Sequence, residues 1–222
     1  MTHRTEDGRF PRMVRAARRF RDRVFPAHGQ EFVRLAVTGQ SPAALFITCA
    51  DSRVSPEMIT DAAPGDLFVC RNIGNLVPAY GEMLGGVSAV VEFAVSALHV
   101  PHIIVCGHSD CGAMKALCDP RKHDLDGMPT VKSWLRNAEA AESVVRAIAG
   151  DLPEAEMVAA MVRRNVALQL QHLRTHPAVA AALASGRLGL HGWIFDIGAG
   201  RVEALDEATG KPMPLEEVAD QA

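Results

Sequence analysis

Two short apolar runs, Ala43–Ala50 (AALFITCA) and His102–Gly107 (HIIVCG), constrain this chain more than any other feature. Each is shorter than a buried helix and lacks the apolar–polar alternation of a half-exposed strand, so each reads as a strand covered on both faces. The first is entered through Gln40-Ser41-Pro42 and left through Asp51-Ser52. Leu67–Arg71, after the turn at Pro64-Gly65, is a further strand. Apolar spacing turns helical over Gly81–Leu98, and again from Lys132 to Ala184 with Pro153 and Pro177 as interruptions. Leu188–Ile197 and Arg201–Leu205 form a last strand pair around Gly198-Ala199-Gly200. Strands alternating with helices predict an α/β fold, a mostly parallel central sheet flanked by helices. At 222 residues, one such domain is expected.

Charge and composition narrow the partners. A net charge of −3 gives the whole molecule no electrostatic reason to seek nucleic acid. Residues 1–34 nevertheless carry nine Arg against Glu6, Asp7, Asp22 and Glu31. Phe10, Met13, Val14, Ala17, Phe20 and Val24 recur there at helical spacing, with Arg12, Arg15, Arg18, Arg19 and Arg23 largely opposite. The basic stretch is therefore read as the solvated face of an amphipathic helix, ended by Pro26 and followed by a second helix over Gln30–Ala36. Its apolar stripe is expected to pack on the core or on a second subunit. No stretch fits a membrane span, and Arg interrupts the N-terminus where a secretory signal needs an apolar run, so a cytoplasmic location without a membrane partner is expected. Five cysteines, an odd number, read as thiols rather than a disulfide framework. The domain reading is a helical arm over 1–28 for dimerisation, an α/β domain over 29–206 and an acidic tail over 207–222.

The chemistry lies where the two buried strands end, because working residues in such sheets gather beyond the strands' C-terminal ends. Cys49-Ala50-Asp51-Ser52-Arg53 leaves one strand, and Gly107-His108-Ser109-Asp110-Cys111-Gly112 leaves the other. Two thiolates and one imidazole from Cys49, His108 and Cys111 suit zinc, with a fourth position open to water or substrate. Asp51 is a candidate fourth ligand that would close the site. Cys70, Cys106 and Cys118 read as small core residues. Ser109 is not a nucleophile elbow, since that pattern requires Gly where Cys111 stands.

Together, C-A-D-S-R at 49–53 and H-S-D-C at 108–111 resemble the two signature motifs of the β-class carbonic anhydrases. Gly39-Gln40-Ser41-Pro42, Pro64-Gly65-Asp66, Arg71-Asn72-Ile73-Gly74-Asn75, Gly85-Gly86 and His191-Gly192-Trp193 agree, so the resemblance covers roughly residues 28–206. It implies reversible hydration of carbon dioxide to bicarbonate on one zinc per chain. Cys49, His108 and Cys111 would be the metal ligands, and Asp51 and Arg53 the catalytic dyad, with Asp51 on the metal only in a closed state. Gln40, Phe68, Ile73 and Gly112 would line the substrate pocket, and Phe93 that of a neighbouring subunit. The resemblance also implies a homodimer built partly from swapped N-terminal helices, often joined into a dimer of dimers. Some members bind bicarbonate at a second site through Trp, Arg and Tyr; here Arg71 is kept, but Phe46 and Phe195 occupy the other positions.

Two other readings fit part of this pattern. A carbon disulfide or carbonyl sulfide hydrolase could share the motifs, and a non-catalytic zinc-stabilised interaction protein could share the ligands. Against the latter, a structural site has no use for Gln40, Asp51 and Arg53. Zinc with two thiolates and a neutral imidazole carries no net charge, which acidifies water weakly and predicts activity that rises through about pH 8 to 9.

Overall fold

The structure, a computed structural model, describes residues 8–82, 85–149, 152–206 and 210–215. They fall into two units divided between Gln40 and Ser41. In the first, α1 (Arg9–Arg18), α2 (Phe20–Arg23) and α3 (Phe25–Thr38) follow one another. The expected single opening helix breaks at Arg19, whose φ of −96° and ψ of 2° leave the helical range. Pro26 does not end a helix; it sits in the first turn of α3, where its missing N–H needs no partner. The second helix is accordingly longer than expected. Phe20, Phe25 and Phe32 pack their rings at centroid distances of 5.8–6.4 Å, drawing α2 onto α3. Nothing in α1 is buried, and Phe10 and Met13 are 72% and 63% exposed.

The second unit runs β1 (Ala44–Cys49), α4 (Pro56–Thr60), β2 (Leu67–Asn72), α5 (Gly86–Ser96), β3 (His102–His108) and α6 (Gly112–Cys118). It continues with α7 (Pro129–Leu135), α8 (Glu139–Ala149), α9 (Glu154–Thr175), α10 (Pro177–Ala184), β4 (Gly189–Asp196), β5 (Arg201–Leu205) and β6 (Pro212–Met213). Among the described residues the sheet order is β2-β1-β3-β4-β5-β6, with the first four parallel and the last two antiparallel. Among the described residues, the run expected to be helical from Lys132 to Ala184 is divided among α7, α8, α9 and α10. Pro153 precedes the first residue of α9 and Pro177 opens α10, so both prolines start helices. Of the expected acidic tail, β6 adds an unforeseen strand, and residues 207–209 and 216–222 lie outside the described residues. No described helix is long and apolar enough to cross a membrane.

Every residue of β1 is buried, as a central parallel strand requires. Leu45 and Ile47 join Ile103, Val105 and the inward residues of α5, α9 and α10 in one core cluster. Phe46, Ile104 and Cys106 form another, with Trp193 edge-on to Phe46 at 6.0 Å. The topology then fixes where a site can form. β1 leads to β2 on one side and β3 leads to β4 on the other, so a crevice opens between the C-terminal ends of β1 and β3.

Helix α9 lies against β3 and β4 at glycine distance. A Cβ at Gly107 would stand 2.8 Å from Val166 Cγ2 and 2.9 Å from Val162 Cγ1. Gly107→Ala is therefore expected to lower stability by about 1–3 kcal/mol, as overpacking does. Urea denaturation measures it; an unchanged midpoint would show that α9 is free to move away from the sheet.

Candidate metal centre

Cys49 is the last residue of β1 and His108 the last of β3, and Cys111 follows one turn later at the start of α6. The adjacent strand ends thus deliver all three donors to the crevice. Their ligand atoms lie within 4.8 Å of one another, and all three residues are buried. The C-terminal extension of β3 is pinned on β4 by the Ser109 N–H donating to Phe195 O at 2.9 Å. Ser109 Oγ accepts from Ile197 N–H at 2.9 Å, so this hydroxyl ties the loop to the end of β4.

Two observations test whether these residues suit a metal. His108 Nδ1 lies 2.9 Å from Ser109 O, the geometry of a ring N–H donating to a carbonyl, which leaves the Nε2 lone pair free. That Nε2 is fully buried and has no hydrogen-bond partner. Such an atom is costly unless something supplies the missing contact. The second observation is electrostatic. A hydrogen bond between the two thiols pulls the Cys49 thiol far down and pushes Cys111 far up, so only one of them readily carries charge on its own. A divalent cation removes both difficulties, accepting the imidazole lone pair and neutralising two thiolates. The donor set fits zinc.

Asp51 stands beside this cluster without belonging to it. Arg53 Nε donates to Asp51 Oδ1 at 2.9 Å and Arg53 Nη2 to Oδ2 at 2.8 Å, and the Arg53 backbone N–H adds a bond to Oδ1 at 3.0 Å. These bonds hold the Asp51 carboxyl well below the usual carboxylate range. Its Oδ2 is 4.0 Å from His108 Nε2. Arg53 is fixed in turn by Asp110, whose Oδ2 accepts from Nη1 at 2.9 Å, and Asp110 also pairs with Lys115. Asp110 adopts φ of 61°, strained for a residue with a side chain. Arg71 spans β2 and β1, donating to Cys49 O at 3.2 Å and Asp51 O at 2.7 Å. Phe46 and Phe195 lie in the apolar cluster of the sheet face, and Arg71 is engaged with backbone.

The other expected pocket residues are placed as follows. Phe68 on β2 and Phe93 on α5 pack against each other at 6.0 Å within one chain, and Phe93 is half exposed. Ile73 is partly exposed beside Gly74, and Gly112 opens α6. Gln40 closes the first unit and is exposed. His102 stands six residues before His108, about 20 Å along β3. It pairs with His191 at 3.1 Å. Burial pushes the Cys106 thiol up to about 12, consistent with an inert core thiol. A cavity of about 550 Å³ lies beside the Asp110 loop, lined by Asp110, Lys115, Asp196 and Glu203 over an apolar floor of Val158 and Val162. It lacks all three ligands, and its charged rim suits a small apolar substrate poorly.

Sequence reasoning missed Asp110, which holds Arg53, and Trp134, Asn165 and Gln169, which hydrogen-bond the backbone of Ile73, Gly74 and Val77 in the loop beside Cys49. Asp110 lies inside the H-S-D-C motif, and its adjacency to Cys111 is a usable signal. Asn165 and Gln169 are amides on the otherwise apolar inner stripe of α9, which is another. Trp134 gives no signal, because only the fold brings it to residue 73.

Comparison with known proteins agrees with this geometry. The family model described as carbonic anhydrase matches residues 44–202. A carbonic anhydrase of Pseudomonas aeruginosa is 53% identical over 199 residues, covering 90% of this chain and 89% of that protein. Among solved structures, the β-carbonic anhydrase CcaA superposes with a TM-score of 0.88 at 40% identity, covering 93% of this chain and 92% of its own. One of two tetrameric β-carbonic anhydrases from Sordaria macrospora gives a TM-score of 0.76 at 30% identity, covering 93% of this chain and all of that one. With the strand-end ligand cluster, the parallel sheet and these matches in agreement, the chain belongs to the β-class carbonic anhydrases.

Proposed function

We propose that this chain hydrates carbon dioxide reversibly to bicarbonate and a proton, using one zinc ion held by Cys49, His108 and Cys111. The observation that carries the reading is the buried, partnerless His108 Nε2 facing two thiols, with the Asp51 carboxylate fixed beside them by Arg53. Zinc in that position would supply Lewis acidity, lowering the pKa of water enough for a nucleophile to exist at mildly alkaline pH. The protein supplies orientation. Asp51, kept ionised by Arg53, is a hydrogen-bond acceptor rather than a base, and aims the attacking lone pair at the substrate.

Carbon dioxide is small and apolar, and Phe68, Ile73 and a neighbouring subunit's Phe93 suit it as a wall. Gln40 and the Gly112 N–H are proposed as donors to the oxygen that gains charge. Arg53 would also hold Asp51 off a bound metal, because a released carboxylate would compete as a fourth ligand and close the site. We further propose a homodimer or a dimer of dimers, because the exposed Phe10 and Met13 of α1 need a surface to cover them. A cytoplasmic setting suits five cysteines that are all unpaired.

The test is zinc content and carbon dioxide hydration measured on one preparation, with about one zinc per chain expected. Cys49→Ala and Cys111→Ala should lose both metal and rate, and full zinc occupancy in both would refute the ligand assignment. Asp51→Asn should keep the metal and lose about 10²–10³ in kcat, the scale of a lost catalytic hydrogen bond.

The pH dependence follows from the zero net charge of the zinc–dithiolate–imidazole core. Hydration should be low at about pH 7 and rise through about pH 8 to 9. Arg53→Ala should remain impaired at the high end, since its Asp51 has lost the group that restrains it. A wild-type plateau already reached at about pH 6.5, or an unaltered Arg53→Ala profile, would sink the gating role.

Removal of residues 1–25 tests the assembly. Sedimentation velocity should show monomers or aggregates, and a truncated chain that remains a fully active dimer would contradict the role given to α1.

A further inference from the structure

We infer that Trp134 is a positioning residue for the metal centre, polarising a peptide group that hydrogen-bonds the Cys49 sulfur. The inference rests on the zinc reading above. Cys49 Sγ accepts from the Gly74 N–H at 3.4 Å. That N–H belongs to the Ile73–Gly74 peptide, and the carbonyl of the same peptide, Ile73 O, accepts from Trp134 Nε1 at 2.8 Å. In a trans peptide the two groups point in opposite directions, so indole, amide and sulfur form one relay. Accepting a bond at oxygen withdraws electron density from nitrogen and strengthens the N–H as a donor, by about 10–30% per bond in such chains.

The loop is fixed so that this N–H has one direction. Asn165 Nδ2 donates to Gly74 O at 3.0 Å, and Asn165 Oδ1 accepts from Gln169 Nε2 at 2.8 Å. Gln169 Oε1 accepts from Val77 N–H at 2.8 Å, clamping the far end of the loop to α9. The Asn72 side chain bridges both backbone groups of Leu76, at 2.8 and 2.9 Å. Gly74 has φ of 79°, and a Cβ there would stand 3.0 Å from Ala113 Cβ, so the loop approaches α6 as only glycine permits.

The consequence is electronic. A thiolate that accepts a strong hydrogen bond donates less charge to its metal, which leaves the metal a better Lewis acid. In a site whose two thiolates already cancel the charge of the ion, this offsets part of the loss of acidity. A tryptophan serving only as packing would affect stability and nothing at the sulfur.

The experiment replaces zinc by cobalt(II) in the full-length protein and reads the sulfur-to-metal charge-transfer band. Trp134→Phe keeps an aromatic ring and removes the N–H. Its band should move to longer wavelength, because a less stabilised sulfur lone pair is easier to excite. Zinc affinity measured by chelator competition should fall about tenfold, the usual scale for an outer hydrogen-bond partner. Should the Phe variant fail to fold, benzothienylalanine placed at position 134 alone keeps the indole shape without its N–H and gives the same reading. Loaded wild type and loaded variant with the same band would overturn the inference alone. Wild type that binds no cobalt would overturn the zinc reading and the inference with it.

Discussion

Two thiols and an imidazole buried within 4.8 Å of one another are an unstable arrangement until a cation joins them. Deprotonation of either sulfur works against the other, and the ring nitrogen has given up water without gaining a partner. Much of the surrounding structure can be understood as the means of holding this arrangement in place. Parallel pairing of β1 with β3 sets two ligands at neighbouring strand ends, and α6 turns the third back toward them. Close packing of α9 on the glycines of β3 and β4 leaves the sheet little freedom to spread.

Around that centre runs an alternating series of charges: Asp51, Arg53, Asp110 and Lys115. Arg53 and Lys115 are partly exposed, so the pairs contribute little to stability. Their value is positional. Arg53 grips Asp51 by both carboxylate oxygens, a geometry that fixes a plane as well as a distance, and Asp110 prevents Arg53 from swinging away. Asp110 tolerates a left-handed backbone to do so, the kind of local strain that accompanies functional sites.

What the sequence made legible followed from range. The central strands β1 and β3 are visible because a both-face-buried strand announces itself as a short apolar run, whereas the two-residue β6 is too short to show. The ligands were visible because strand ends and short ligand spacings are local. The breaks in the helices are harder: Pro26 reads as a helix end and Pro153 and Pro177 as interruptions, where the structure uses all three in the starts of helices. Proline is compatible with both, and only the register of the following residues decides. Helix α6, at seven residues, is too short to show a period. The network of Trp134, Asn165 and Gln169 joins residues up to 92 positions apart, and no spacing rule reaches that far.

The central claim is that this cluster is a catalytic zinc centre with two sulfur ligands and one position open to solvent. X-ray absorption at the zinc edge of the purified protein tests it most directly. The account predicts two sulfur neighbours at about 2.3 Å and two nitrogen or oxygen neighbours at about 2.0–2.1 Å, one of them exchangeable with small anions such as azide. A shell that holds other than two sulfurs, or one that no added anion alters at high pH, would contradict it.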